Sequence, residues 1–65
     1  MMSKERLIRL PEVRLRTGLS TATIYRKVAA GVFPPKVQIS MNVVGWYESD
    51  IDRWIENPTG WRAAA

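Results

Sequence analysis

The 65-residue chain contains no cysteine and no histidine. No disulfide can brace it and no zinc site can be assembled, so the usual supports of very small domains are missing and stability has to come from packing. The missing cysteines also suit a reducing compartment. Long apolar runs are absent as well. The opening stretch MMSKERLIRL lacks the roughly 7- to 15-residue apolar core of a signal peptide, and nothing later approaches the about 20 residues of a membrane span. These absences lead us to expect a soluble, cytoplasmic protein with no membrane partner. Catalysis is disfavoured too. Without histidine the serines have no evident base, and the grouped carboxylates Glu48, Asp50 and Asp52 are accounted for by the start of a helix. A nucleophilic Tyr25 or Tyr47 would need a cationic pocket larger than this chain can enclose. We therefore expect no enzyme, no catalytic residue, no cofactor and no metal.

What is present is an apolar fraction of 46% with three tryptophans, enough for one small core but not for two. Charge is placed unevenly. Residues 1–36 hold eight basic side chains against two acidic ones, a balance of +6, while the remainder holds two against four, a balance of −2. One basic face and a polyanionic partner follow from such a split, since neutralised phosphates supply most non-specific nucleic-acid affinity. Plain solubility is the competing explanation.

Along the chain, Pro11 suits a first helical position and Glu12 the positive end of the helix dipole, while Gly18 can take the left-handed conformation that ends a helix. A first helix over 11–17 is expected, with Leu10, Val13 and either Leu15 or Leu19 on its apolar side. Ser20 is then an N-cap, and Leu19 and Ile24 have the spacing of a hydrophobic staple. The second helix is expected over 21–30 and is closed by Gly31. With Ile24 at zero on the helical wheel, Val28 lies about 40° away and Ala22, Arg26 and Ala30 cluster near 200°.

The prolines of VFPPKV break helical structure and lead into two alternating segments, KVQIS and VVGWY. Pairing Ile39 with Val44 sets Val37 opposite Trp46 on one face of a hairpin, with a four-residue loop over 40–43. Ser49 is the expected cap of a third helix, with Asp50 and Asp52 in its first turn and Ile51, Trp54 and Ile55 as its buried stripe. Asn57-Pro58 stops it. The domain is thus expected over 6–56, with a tail over 57–65 in which Trp61 either packs back or stays loose.

Two short helices joined by a Gly-containing turn, the second of them capped and free of acidic residues, match a helix-turn-helix. Alanines at 22, 29 and 30 allow a close approach to a groove. Thr21 and Thr23 can donate to phosphate or a base edge, and Arg26 can reach guanine O6 and N7 in bidentate fashion. Tyr25 can meet a phosphate or a sugar. Each has a plainer reading: Arg26 as a solvated residue, the threonines as ordinary first-turn residues, Tyr25 as partly core. Lys27, about 60° from Ile24, flanks the buried stripe and reads as a snorkelling side chain. The hairpin is either a wing, with Lys36, Gln38, Ser40 and Asn42 facing outward, or a structural cover for the core. Arg14 and Arg16 complete the basic region. Everything requires Arg26 to point away from the protein and clear of Asp50 and Asp52.

The strings RLIRLPEV, TGLSTATIYRKVAAGVFP and VGWYESDIDRWIE, in this order, resemble the AlpA family of prophage-encoded regulators, small relatives of excisionases and of MerR-type proteins. The resemblance spans about residues 6–56. It implies an α+β, mostly helical, small winged helix-turn-helix of three short helices and a two-stranded hairpin. It also implies a sequence-specific, double-stranded-DNA-binding transcriptional regulator of a prophage or integrated element, activating an integrase gene or promoting excision. Thr23, Tyr25 and Arg26 match the family's reading helix, and Gly45, Trp46, Ile51 and Trp54 its core. An integrase or recombinase, or further copies of the chain on DNA, are the partners this suggests. The chain departs from the family's usual pattern at Thr21, at Met41-Asn42-Val43 and at Pro35-Lys36. The rival function is a small protein-interaction module whose basic face meets an acidic partner.

Overall fold

A computed structural model describes residues 5–63. Strand β1 (Leu7–Ile8) leads into helices α1 (Leu10–Thr17) and α2 (Thr21–Ala29), followed by the hairpin β2 (Val37–Ser40) and β3 (Val43–Tyr47) and by helix α3 (Glu48–Glu56). The sheet is antiparallel with order β1-β3-β2. This is a small winged helix-turn-helix, and β1 is a third strand beyond the expected hairpin.

Helix α1 starts one residue earlier than expected, which leaves Pro11 in its first turn. Gly18 ends it at φ 76°, a left-handed backbone that a side chain would strain, and its N–H returns to the Arg14 carbonyl at 2.8 Å. Ser20 caps α2 as the sequence suggests: its Oγ accepts from the Thr23 N–H at 3.2 Å. Ser20→Ala removes that acceptor and is expected to cost about 1 kcal/mol. In a domain of this size the loss reads as a Tm lowered by about 4–8 °C in thermal unfolding.

The core consists of Ile8, Val13, Ile24, Phe33, Trp46, Ile51 and Trp54, with Leu10, Leu19, Val28, Val44 and Trp61 packed around it. Two buried indoles pin the proline-rich connection between α2 and the hairpin. Trp46 Nε1–H donates to the Pro34 carbonyl and Trp54 Nε1–H to the Val32 carbonyl, each at 3.0 Å, and the Phe33 and Trp54 rings meet at 4.9 Å between centroids. A segment that prolines bar from helix or ladder thus finds its acceptors' partners in the core. Trp61 packs back, and the Ala63 N–H reaches the Gly31 carbonyl at 3.0 Å.

Four local expectations are corrected. Val37 pairs with Gly45 and Gln38 with Val44, one residue away from the expected register, and a shift of one turns the start of β2 to the other face. Val37 and Ile39 therefore lie outside the sheet, not on the core. Ser40 pairs with Val43, so the loop is the two-residue turn Met41-Asn42 and not four residues; no left-handed backbone is used there, and an irregularity between Gln38 and Ser40 absorbs the extra residue. Gly45 shows why this register is preferred. A Cβ there would lie 2.9 Å from the Ile8 carbonyl oxygen and 2.7 Å from Ile39 Cδ1, so the absent side chain is what lets β1 and Ile39 approach β3.

The other two corrections concern α3. Ser49 does not cap α3, which begins at Glu48 after Tyr47. The cap comes from the far end of the chain: the Glu48 N–H donates to the Arg6 carbonyl at 2.8 Å, and the Glu5 carboxylate accepts from the Ser49 N–H at 3.2 Å and from its hydroxyl at 2.9 Å. A carboxylate at that helix end is favoured by the dipole. Ile55, expected in the buried stripe, is exposed. For α1, it is Leu19 and not the exposed Leu15 that completes the apolar side.

Candidate nucleic-acid interface

Helix α2 buries Ile24 completely and turns Ala22, Arg26, Ala29 and Ala30 outward. Thr21 and Thr23 are half-buried at its start. The hydroxyls of the first turn form a chain that the spacing 20, 23, 26 could have disclosed: Ser20 Oγ donates to Thr23 Oγ1 at 3.0 Å, and Arg26 Nη2 donates to the same oxygen at 3.2 Å. The Arg26 guanidinium is thereby drawn along the outer face toward the positive end of α2. The carboxylates that would have captured it are taken elsewhere, Asp50 by Arg53 at 3.2 Å and Asp52 by Arg16.

Beside this face the base of the hairpin meets α2. The half-exposed Tyr25 ring lies 6.3 Å from the Trp46 ring, and Lys36 Nζ stands 5.9 Å from the Tyr25 centroid. The tyrosine is thus both partly core and reachable from outside, with a cation poised over its face. Lys27 is half-buried, in keeping with a snorkelling stem.

Farther out, the structure gathers less. Gln38 is exposed, but its amide donates to the Met41 carbonyl at 3.1 Å and to that of Ser40, so it braces the turn. Asn42 is exposed at the tip. Neither hydrogen-bonds to α2 among the described residues. Arg14 is exposed on α1 and borders an open depression of about 500 Å³ beside the interhelical turn, lined also by Pro11, Leu15 and Ser20. Arg16, grouped with it by sequence, is held by Glu48 at 3.5 Å and by Asp52, and Arg6 joins Glu48 at 3.2 Å. Its partners lie more than thirty residues away along the chain, which is why no local pattern revealed them. Arg16 therefore ties α1 to α3, whereas Arg14, Arg26 and Lys36 of the expected basic region are exposed.

The sequence model of the family described as the prophage CP4-57 regulatory protein AlpA matches residues 6–59. A protein of Enterobacteria phage P4 bearing the name uncharacterized protein ORF88 is 39% identical over 54 residues, which cover 83% of this chain and 61% of that protein. The DNA-binding transcriptional activator AlpA of Escherichia coli strain K12 is 37% identical over 59 residues, covering 82% of this chain and 84% of the activator. The chain thus spans less than two thirds of the phage P4 protein. No solved structure matches.

Proposed function

The chain belongs to the AlpA family, and from that premise we propose that it is a sequence-specific DNA-binding transcriptional regulator of a prophage or other integrated element. Activation of an integrase gene and promotion of excision both fit, because the same reading module serves either. The observation that carries this reading is the outer face of α2: small side chains around an Arg26 that no carboxylate among the described residues holds, its guanidinium drawn by Thr23 toward the capped start of the helix. In this reading α2 enters the major groove, Arg26 reads a base, and Thr21, Thr23 and Tyr25 meet base edges or phosphates. Arg14 and Lys36 neutralise phosphates on either side. Gln38 and Asn42 extend the contact along the wing, and Arg16 supports α1 from behind. One module of this size touches few base pairs, so several copies on neighbouring sites, or an integrase bound alongside, would complete a specific complex. A cytoplasmic location follows from the same function.

Salt separates this reading from an acidic protein partner. The log of duplex affinity should fall linearly with the log of salt concentration, with a slope of about −0.9 for each phosphate neutralised. Fluorescence anisotropy on a duplex recovered by selection from a random library measures it. Arg14→Ala should weaken selected and random duplexes alike and make the slope shallower by about one. No duplex binding at low salt, or a salt-independent affinity, overturns the proposal in favour of a protein partner.

A further inference from the structure

The segment that follows α3 is not a loose tail. Trp61 packs against the core, its N–H donates to the Asn57 carbonyl at 2.9 Å, and the Ala63 N–H reaches the Gly31 carbonyl just beyond the end of α2. This course brings Arg62 beside Lys27, and both line one open depression of about 370 Å³ together with Leu19, Val32, Trp54 and Pro58. Arg62 is exposed, and its guanidinium is steadied by the Thr59 carbonyl at 3.3 Å and the Trp61 carbonyl at 2.8 Å. Lys27 is half-buried, its stem lying along the apolar wall with the ammonium left for the surface. Neither cation forms an ion pair among the described residues, and no acidic side chain lines the depression.

The helical period sets where this pair lies. With Arg26 outward, Tyr25 and Lys27 fall about 100° to either side of it. Lys36, over the Tyr25 ring, belongs to the first flank, and Arg62, beside Lys27, to the second. Leu19 lines both this depression and the one that Arg14 borders, so Arg14 continues the second flank toward the start of α2. A major groove about 12 Å wide is bounded by two rows of phosphates, one from each strand, and a helix seated in it has one row along each side. We infer that Lys27 and Arg62 bind backbone phosphates of one strand while Lys36 meets those of the other, so that the segment after α3 closes the second side of a clamp around α2. The inference rests on the proposed function and extends it to a part of the chain outside the expected domain. An acidic protein surface could neutralise either flank alone, but unpaired cations along both sides of one outward helix face match the two phosphate rows of a duplex. Arg62 also lies beyond the residues 6–59 that match the family's sequence model, so its contact is an addition to that module.

Arg62→Gln and Lys27→Met each remove a charge while keeping most of the stem, and circular dichroism checks their fold. In fluorescence anisotropy each should weaken selected and random duplexes alike and make the log-log salt slope shallower by about one, and the double variant by about two. Arg62→Lys keeps the charge and should keep the slope, which a merely structural role for the side chain would not require. Duplexes carrying a single uncharged methylphosphonate locate the contacts. Phosphates whose neutralisation weakens the wild-type chain but no longer affects Arg62→Gln should lie on one strand, and those that no longer affect Lys36→Gln on the other. A wild-type slope in either Arg62→Gln or Lys27→Met overturns the inference, leaves DNA binding standing and turns the pair toward an acidic protein. Contacts of Arg62 and Lys36 on the same strand also overturn it. Absence of duplex binding by the wild-type chain overturns the proposed function, and this inference with it.

Discussion

Trp46→Ala is expected to leave the chain largely unfolded at room temperature. Trp46 is completely buried, pairs with Ile8 across the sheet, lies 6.3 Å from Tyr25 on α2 and donates to the Pro34 carbonyl. It joins the first strand, α2, the proline-rich connection and the hairpin. Truncating a buried aromatic to alanine costs about 3–5 kcal/mol. A domain of this length holds only about 3–10 kcal/mol in total, at roughly 0.05–0.15 kcal/mol per residue. Urea unfolding followed by far-ultraviolet circular dichroism measures the loss. Trp46→Phe divides the effect, because it keeps most of the apolar area but leaves the Pro34 carbonyl without its donor, at a cost of about 1–3 kcal/mol. A cooperative transition in Trp46→Ala with under about 1 kcal/mol lost would show that the core does not depend on this residue as described.

Arg26→Ala carries the largest functional effect. Its guanidinium is exposed and, among the described residues, hydrogen-bonds to Thr23 alone, so the stability change should stay within about 0.5 kcal/mol. Discrimination between the selected and a random duplex, by contrast, should fall by about 1–3 kcal/mol, or roughly 5- to 150-fold. Arg26→Lys sharpens the test. Lysine keeps the charge but not the planar fork, so the salt slope should be retained while most of the discrimination goes. Competition binding with both duplexes reads the two quantities together. An unchanged preference in Arg26→Ala would remove this residue from base reading and shift recognition to Thr21, Thr23 or the wing.

How far the sequence could be read depended on how far apart the deciding residues stood. Ser20, Gly18 and the Ile24/Val28 stripe act within one or two turns, and the helix-turn-helix follows from them without reference to the rest of the chain. Trp46, Ile51 and Trp54 could be assigned to the core for a similar reason, since large apolar residues at strand and helix spacing have nowhere else to go. The hairpin register could not. Strand β3 is apolar on both faces, so alternation scores a pairing and its one-residue shift alike. Ser49 looked like a cap because serine usually is one, but the first turn of α3 is satisfied by Glu5 and Arg6, forty or more residues away in the chain.

Local chemistry alone was enough to specify the Gly18 stop of α1 and the Ser20 cap of α2, which side of α2 is buried, and that Arg26 faces outward, because these depend on the 3.6-residue period and on caps a few residues apart. Long-range packing decided the rest. Pairing of the two-residue β1 with β3 placed Glu5 on α3, and the bare backbone at Gly45 selected the register and turned Ile39 outward. The approach of α1 to α3 withdrew Arg16 from the basic face. These choices compare contacts between segments distant in sequence, and such contacts take on definite energies only once the chain has closed around its core.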